Sequence, residues 1–350
     1  MTLETAATRL FGVEHPIVQT GMGWVSGSKL TTATARAGGL GIIAAAPMTF
    51  DQMVQTIDEV QAATEKNFGV NLRTDAHDIS KRVQHLIDAG VRVASFAQAP
   101  GERIVKTLKD AGVVVVPTIG AARHAEKVAE WGVDAVIAQG AEGGGHTGVV
   151  PTSLLIPSVL DTVDIPVIAA GGFFDGRGLA AALTYGASGI AMGTRFMLTS
   201  DSEVDDDVKA VYLQTRLDGT VVTIAVDGAP QRVVRTEVID SLERAGPLAL
   251  PKAVANALRF RKLTNTSVRD LLREGLAMRK SQDLSWSQLA MAANAPMMTR
   301  ATMVDGNLEV GILPTGQGVG VITELPTTEE LINLVMTEAQ RALDLVKEQY

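Results

Sequence analysis

The 350-residue chain is predicted to fold as an α/β protein, a (β/α)8 barrel carrying an added, mainly helical lid. Three observations predict this. Short apolar runs recur eight times in about the first 200 residues, each leaving room for one helix before the next. The helices between them close on the similar pairs Ala37-Gly38, Ala89-Gly90, Ala111-Gly112 and Trp131-Gly132, which suit a left-handed C-cap before a strand. The turns after the seventh and eighth runs, Gly171-Gly172 and Gly193-Thr194, stand where such barrels commonly receive a phosphate. An open dinucleotide-binding sheet is the competing fold. It needs a third glycine after the first strand, and Gly21-Met-Gly23-Trp24 lacks one at the required spacing.

In chain order the strands are expected at Ile17–Gln19, Leu40–Ala44, Phe68–Asn71, Arg92–Ser95, Val113–Pro117, Ala135–Ala138, Val167–Ala170 and Gly189–Met192. Their near-continuous apolar character is that of parallel strands buried on both faces. Thr49-Phe-Asp-Gln52 reads as a capping box opening a helix with Met53, Ile57 and Val60 on one face. Asp78 is the expected cap of a helix carrying Val83, Leu86 and Ile87. Beyond residue 200 the rhythm stops. Asp201 through Asp207 form an acidic helix opening, and Thr327-Thr-Glu-Glu330 opens a final helix with Leu331, Leu334 and Val335 on its inner face. The expected division is a barrel of residues 1–200 and about 325–350, and a helical lid or substrate region of about 201–324.

Composition narrows the chemistry. The net charge of −8 argues against a general partner for nucleic acid or anionic membranes. With no cysteine, disulfides, iron–sulfur clusters, thiolate zinc sites and cysteine nucleophiles are excluded. No apolar run approaches the roughly 20 residues of a membrane span, and no leader is apparent, so a cytoplasmic location is expected. No lysine stands at an expected strand end, which disfavours Schiff-base chemistry. His15, His77, His85 and His124 form no metal-ligand spacing with carboxylates.

An organic cofactor anchored by a phosphate remains, and the strand ends assemble a place for FMN. Its phosphate would lie on Gly171-Gly172 and Met192-Gly193-Thr194, with the ring over Met22-Gly23, while Asn71 and Gln139 offer neutral amides to ring or ribityl atoms. After the sixth strand, Gln139-Gly-Ala-Glu142-Gly-Gly144-Gly145-His146-Thr-Gly148 places one carboxylate and one imidazole in a loop open to close backbone approach. An imidazole there can serve as a base near neutral pH.

These segments resemble a known family. Val18-Gln-Thr-Gly-Met-Gly23, Ala37-Gly-Gly-Leu-Gly41, Gly69-Val-Asn71, Gln139 through Gly148, Ala169-Ala-Gly-Gly172 and Ala191-Met-Gly-Thr-Arg-Phe196 are similar, in order, to the nitronate monooxygenases. Gly316-Gln-Gly-Val-Gly320 extends the likeness toward the carboxyl terminus. The resemblance implies FMN held by Met22, Gly23, Asn71, Gln139, Gly144, Gly172, Gly193 and Thr194, with His146 as catalytic base. One departure stands out: family monooxygenases usually carry an arginine after the loop histidine, where this chain has Thr147. With Gly21-Met-Gly-Trp24 and Gly171-Gly-Phe-Phe-Asp-Gly-Arg177, that departure resembles a steroid-catabolic branch acting on bicyclic coenzyme A thioesters.

Three functions are therefore expected in competition: an FMN oxidoreductase on a cyclic acyl-CoA, a nitronate monooxygenase using O2, and an NAD(P)H-dependent enoyl-thioester reductase. A non-catalytic flavin or phosphate binder is disfavoured by the base in the cofactor loop. A homodimer is the expected assembly. The basic run that includes Arg259, Arg261, Lys262 and Arg300 offers a place to steer a polyanionic CoA ester, although an exposed helical face is the plainer account of it. Met278, Met291, Met297, Met298 and Met303 offer adaptable apolar surface for a core or a substrate pocket.

Overall fold

The computed structural model describes residues 3–245 and 297–349. Eight parallel strands close a barrel: β1 (Ile17–Gln19), β2 (Leu40–Ala44), β3 (Gly69–Leu72), β4 (Val93–Phe96), β5 (Val114–Ile119), β6 (Val136–Gln139), β8 (Val167–Ala170) and β9 (Gly189–Met192). Closure is made by β9 pairing with β1, with Ile17 opposite Ile190 and Gln19 opposite Met192. All eight expected strands are present, each within two residues of its expected ends. The apolar runs are continuous because successive residues serve two cores. Leu40 and Ile42 point into the barrel with Val18, Val93, Val116, Ile137 and Ile168, while Ile43 faces the outer layer of helices. Helix α1 (Ala6–Phe11) plugs the amino-terminal end of the barrel, its Ala7 and Phe11 packed into the inner cluster.

The outer helices are α2 (Ser28–Arg36), α3 (Phe50–Ala63), α4 (Ile79–Asp88), α5 (Glu102–Asp110), α6 (Ala122–Glu130), α7 (Thr152–Leu160), α8 (Gly176–Tyr185) and the short α9 (Thr194–Met197). Thr49 and Gln52 form the reciprocal capping box at the start of α3. Gly38, Gly90, Gly112 and Gly132 all have positive φ, as the closing pairs predict. Asp78 precedes α4 but makes no cap bond there. Its carboxylate accepts instead from Arg82 Nε at 2.8 Å, and the buried guanidinium also donates to the carbonyls of Ala45 and Met48. A buried cation with an acidic neighbour one turn away outweighs a single orphan N–H.

The last helix, α12 (Thr328–Gln349), returns to the barrel and packs on α8 and α2. Leu331, Ile332 and Val335 are buried along it, whereas Leu334 is 43 % exposed and faces away, so the inner stripe is set one residue off its expected line. Gly176 makes this crossing close. A Cβ there would lie about 2.3–2.4 Å from the Val335 carbonyl oxygen, the Ala339 nitrogen and the Glu338 Cβ. Its N–H also donates to Glu338 Oε2 at 2.9 Å. Gly176→Ala is therefore expected to destabilise the fold by about 1–3 kcal/mol, read as a lower urea midpoint with an unchanged denaturant slope.

Between the barrel and α12 the described residues hold α10 (Asp206–Gln214), α11 (Glu237–Ala245), a helical segment at 297–303 and a 3-10 turn, Gln317–Val321. They also hold β10 (Thr220–Thr223) and β11 (Gln231–Val234), which pair antiparallel and capture a third strand, β7 (Gly145–His146), from the loop after β6. The expectation of a mainly helical region omitted this sheet. The buried Tyr212 on α10 fastens the region to the chain's return, donating its hydroxyl to the Pro314 carbonyl at 3.0 Å. Met303 is buried against the core and Met298 packs beside Val226, Val233 and Ile239, so both are core fillers. Met278 and Met291 lie outside the described residues.

Candidate active site

The carboxyl ends of the barrel strands converge on one mouth. At β1, Gln19 is fully buried, and its Nε2 donates to Ser26 Oγ at 2.8 Å and the Ile42 carbonyl at 3.2 Å. Ser26 Oγ in turn accepts from the Met22 N–H at 2.9 Å, which fixes the Met22-Gly23 turn. Trp24 completes the turn at φ 65°, a left-handed value that is rare for so large a side chain. The Arg300 guanidinium lies 5.4 Å from its ring centroid. At β3, Asn71 is buried and donates to Ser95 Oγ at 3.3 Å, with Gly21 stacked so closely that a Cβ would approach Asn71 Cβ to 2.6 Å. The expected ring platform and its amide thus stand side by side.

At β8 and β9 the expected phosphate cradle is also brought together. Gly171 and Gly172 take φ values of 98° and 80°, which L side chains rarely adopt. Across from them a Cβ on Gly193 would lie 3.2 Å from Thr20 Oγ1 and 3.4 Å from Met22 Sδ, so the β9 turn touches the β1 turn. Met192 is different. Its side chain is 1 % exposed within the outer core, and it lends the mouth its carbonyl, which accepts the Thr20 N–H.

A late segment of the chain packs against these turns. Thr194 Oγ1 accepts the Gly316 N–H at 2.8 Å, and the Gln317 N–H donates to the Glu142 carbonyl at 2.9 Å. Gly144 lies against this segment so tightly that a Cβ would sit 2.4 Å from Gly316 N and 2.5 Å from the Thr315 carbonyl carbon. Gly318 rests over Gly172. The arrangement of glycine backbone and one hydroxyl fits a single phosphate group.

The loop after β6 is held from several sides. The Glu142 carboxylate sits on the first turn of α7, accepting from Thr152 N–H at 3.0 Å and Thr152 Oγ1 at 2.7 Å, so Glu142 orients the loop. Arg232 on β11 donates to the Ala141 carbonyl at 3.0 Å. Gln139 donates its Nε2 to the His146 carbonyl at 2.8 Å. Gly145, at φ 64°, turns the chain into β7, where His146 stands opposite Gln231. The His146 side chain is 66 % exposed at the mouth, and its Nε2 lies 2.7 Å from Asp227 Oδ2. That bond raises the imidazole above the ordinary histidine range, against burial and the Arg73 charge, which push it down.

The chain resembles known proteins across nearly its whole length. The family model described as nitronate monooxygenase matches residues 4–84 and 76–338. The chain belongs to the nitronate monooxygenase family. It is a flavin-dependent oxidoreductase. A Mycobacterium tuberculosis (strain ATCC 25618 / H37Rv) protein called (3aS,4S,5R,7aS)-5-hydroxy-7a-methyl-1-oxo-octahydro-1H-indene-4-carboxyl-CoA dehydrogenase is 57 % identical over 343 residues, 97 % of each chain. The protein of the same name from Rhodococcus jostii (strain RHA1) is 54 % identical over 98 % of each. Among solved structures, FabK from Thermotoga maritima superposes with a TM-score of 0.81 at 32 % identity, covering 100 % of both chains.

Within this family member, the departure at Thr147 has a local explanation. Its hydroxyl turns back onto the carbonyls of Gly140 and Ala141, both at 3.3 Å, and its N–H donates to the Pro230 carbonyl. The side chain braces the loop where an arginine would present charge. Asp227, Gln231 and Thr315 carry no expectation from the sequence, and Gly316 enters there only as part of the family likeness. The signal for the first two was present: Asp227-Gly228 lies between the strand-like runs Val221-Val-Thr223 and Arg232-Val-Val234, as a hairpin turn does. Arg259, Arg261 and Lys262 lie outside the described residues.

Proposed function

We propose that the protein is an FMN-dependent dehydrogenase of a bicyclic acyl-CoA thioester of the hydroxy-indene-carboxyl type. The observation that carries this is the near-full-length similarity, 57 % and 54 %, to two proteins named for that activity. FMN is the form of flavin that a single cradle accommodates: Gly171, Gly172, Gly193 and Thr194 would hold its phosphate, and Met22, Gly23, Asn71 and Gln139 its ring and ribityl side. Gly144 and Gly145 shape the loop beside it. Bound flavin supplies the hydride acceptor. His146 takes the proton from the carbon α to the thioester carbonyl, and the hydride leaves the adjacent carbon, so one proton and one hydride account for the oxidation. Thr147, bonded to its own loop, puts a neutral side chain at the position after the base.

The test is anaerobic mixing of the flavin-loaded protein with the bicyclic hydroxyacyl-CoA and, separately, with an alkyl nitronate, following loss of flavin absorbance. Reduction by the thioester with a kcat/KM about 100-fold higher is expected, the scale a few complementary pocket contacts supply. A nitronate as the better substrate would return the monooxygenase reading. Cofactor released by heat should chromatograph as FMN, and FAD in its place overturns the single-cradle assignment.

A further inference from the structure

Asp227 belongs to neither the barrel nor the cofactor loop, yet it meets the base directly. It lies in the turn between β10 and β11, where Gly228 N–H donates to the Ile224 carbonyl and Ala225 N–H to Thr223 Oγ1, fixing the turn. Its side chain is 14 % exposed. One oxygen, Oδ1, accepts the Ala229 N–H at 3.1 Å, and Oδ2 faces His146 Nε2 at 2.7 Å. Gln231, one residue before Arg232 on β11 and opposite His146, also favours the charged form of this carboxyl. We propose that Asp227 is the positioning residue of this site: it holds the proton-bearing Nε2 of His146 and thereby makes Nδ1 the atom that receives the substrate's proton. This rests on the reading of His146 as the base.

The chemistry of the partners dictates the tautomer. Burial works against the Asp227 charge, but the bond and charge of His146, the Ala229 N–H and the nearby Gln231 amide outweigh it and hold the carboxyl below its ordinary range. An ionised carboxylate accepts hydrogen bonds and donates none, so the proton in the pair sits on Nε2. The remaining lone pair is on Nδ1. When Nδ1 takes a proton, the carboxylate stabilises the cation so formed. Among the described residues the charged groups acting on the ring are Asp227, from the hairpin turn, and Arg73, from the loop after β3, which opposes it. Because the hairpin supplies both Asp227 and the strand that pairs with β7, one element sets the backbone and the tautomer of the base.

Histidine-selective 15N labelling of the flavin-loaded protein reads the tautomer directly, with the His146 signal identified by its loss in His146→Ala. The wild type is expected to show Nε2–H. Asp227→Asn is isosteric, but its amide can donate to Nε2 and so favours the opposite tautomer. Its expected results are a signal moved toward Nδ1–H, a His146 titration and an acid limb of the rate both displaced to lower pH, and a kcat lowered by at least about 10²-fold. KM and bound flavin should stay near wild type. Asp227→Glu should recover part of the rate. An Nδ1–H tautomer in the wild-type protein, which needs no variant, would overturn the proposal. So would Asp227→Asn with a wild-type rate and pH profile while His146→Ala loses turnover. Unchanged turnover in His146→Ala overturns the base reading itself, a separate result.

Discussion

Replacing His146 by alanine is expected to leave the protein folded and flavin-loaded while lowering substrate-dependent flavin reduction by about 10²–10⁴-fold. The structure separates the two jobs of this residue. Its backbone pairs with Gln231 and accepts from Gln139, and alanine retains both contacts. Its side chain is 66 % exposed and bonds Asp227, so its removal empties no core. The expected signature is a fallen rate of reduction with an unchanged flavin-to-protein ratio and a cooperative unfolding transition retained. The bond to Asp227 raises the imidazole's pKa, so the neutral, proton-accepting form is lost as pH falls through that raised value. The wild-type rate should therefore rise with pH across a limb above the ordinary histidine range, and the alanine variant should lack that limb. Retention of the limb in the variant would move the base elsewhere.

The second large effect is expected from Gly144→Ala, at a position that touches no reacting atom. A Cβ there would meet backbone, Gly316 N at 2.4 Å and the Thr315 carbonyl carbon at 2.5 Å, and backbone cannot swing aside as a flexible side chain can. The late segment must lift, and Thr194 Oγ1 then loses the Gly316 N–H. Overpacking of this kind costs about 1–3 kcal/mol, which converts to a flavin Kd raised by about 5- to 150-fold if the strain is relieved by opening the cradle. Flavin titration followed by fluorescence quenching measures it. Gly145→Ala is the matched control: its Cβ meets nothing within 4 Å, so its effect is confined to the strain of a φ of 64°. Equal flavin affinity in the Gly144 variant and the wild type would remove the late segment from the cofactor site.

The barrel was legible because its signals are local. Each strand is a buried apolar run, and α2, α4, α5, α6 and α8 each end on a glycine whose positive φ closes the turn before the next strand. The cradle glycines Gly171 and Gly172 and the turn at Met22 follow from the same register, since they are what comes after a strand. The sheet around the base was harder to read. β7 is Gly145-His146, two residues without apolar alternation, and it becomes a strand because β11 pairs with it from about 85 positions downstream in the chain. Asp227 carries no sign of its partner, because the contact spans 81 residues. Leu334 was misplaced for another reason: a helix stripe read from three apolar residues leaves its angle uncertain by one position, and burial of Ile332 decides it.

The bond between Gly316 and Thr194 also has a consequence for the order in which the molecule is made. It joins residues 122 apart, and the Gly176–Glu338 bond joins residues 162 apart. Contacts of such separation form late, after the loop between them has been closed against its entropy. During synthesis all eight barrel strands have been made by Met192, while the proposed cradle waits for Gly316 and the fastening of α8 waits for Glu338. A nascent chain thus holds every barrel strand before the proposed flavin cradle is complete. On the proposed site, cofactor capture would come near the end of folding and add stability to the finished state by mass action. Flavin supply in the cell should accordingly govern how much mature protein survives turnover, and have little influence on how fast the barrel first collapses.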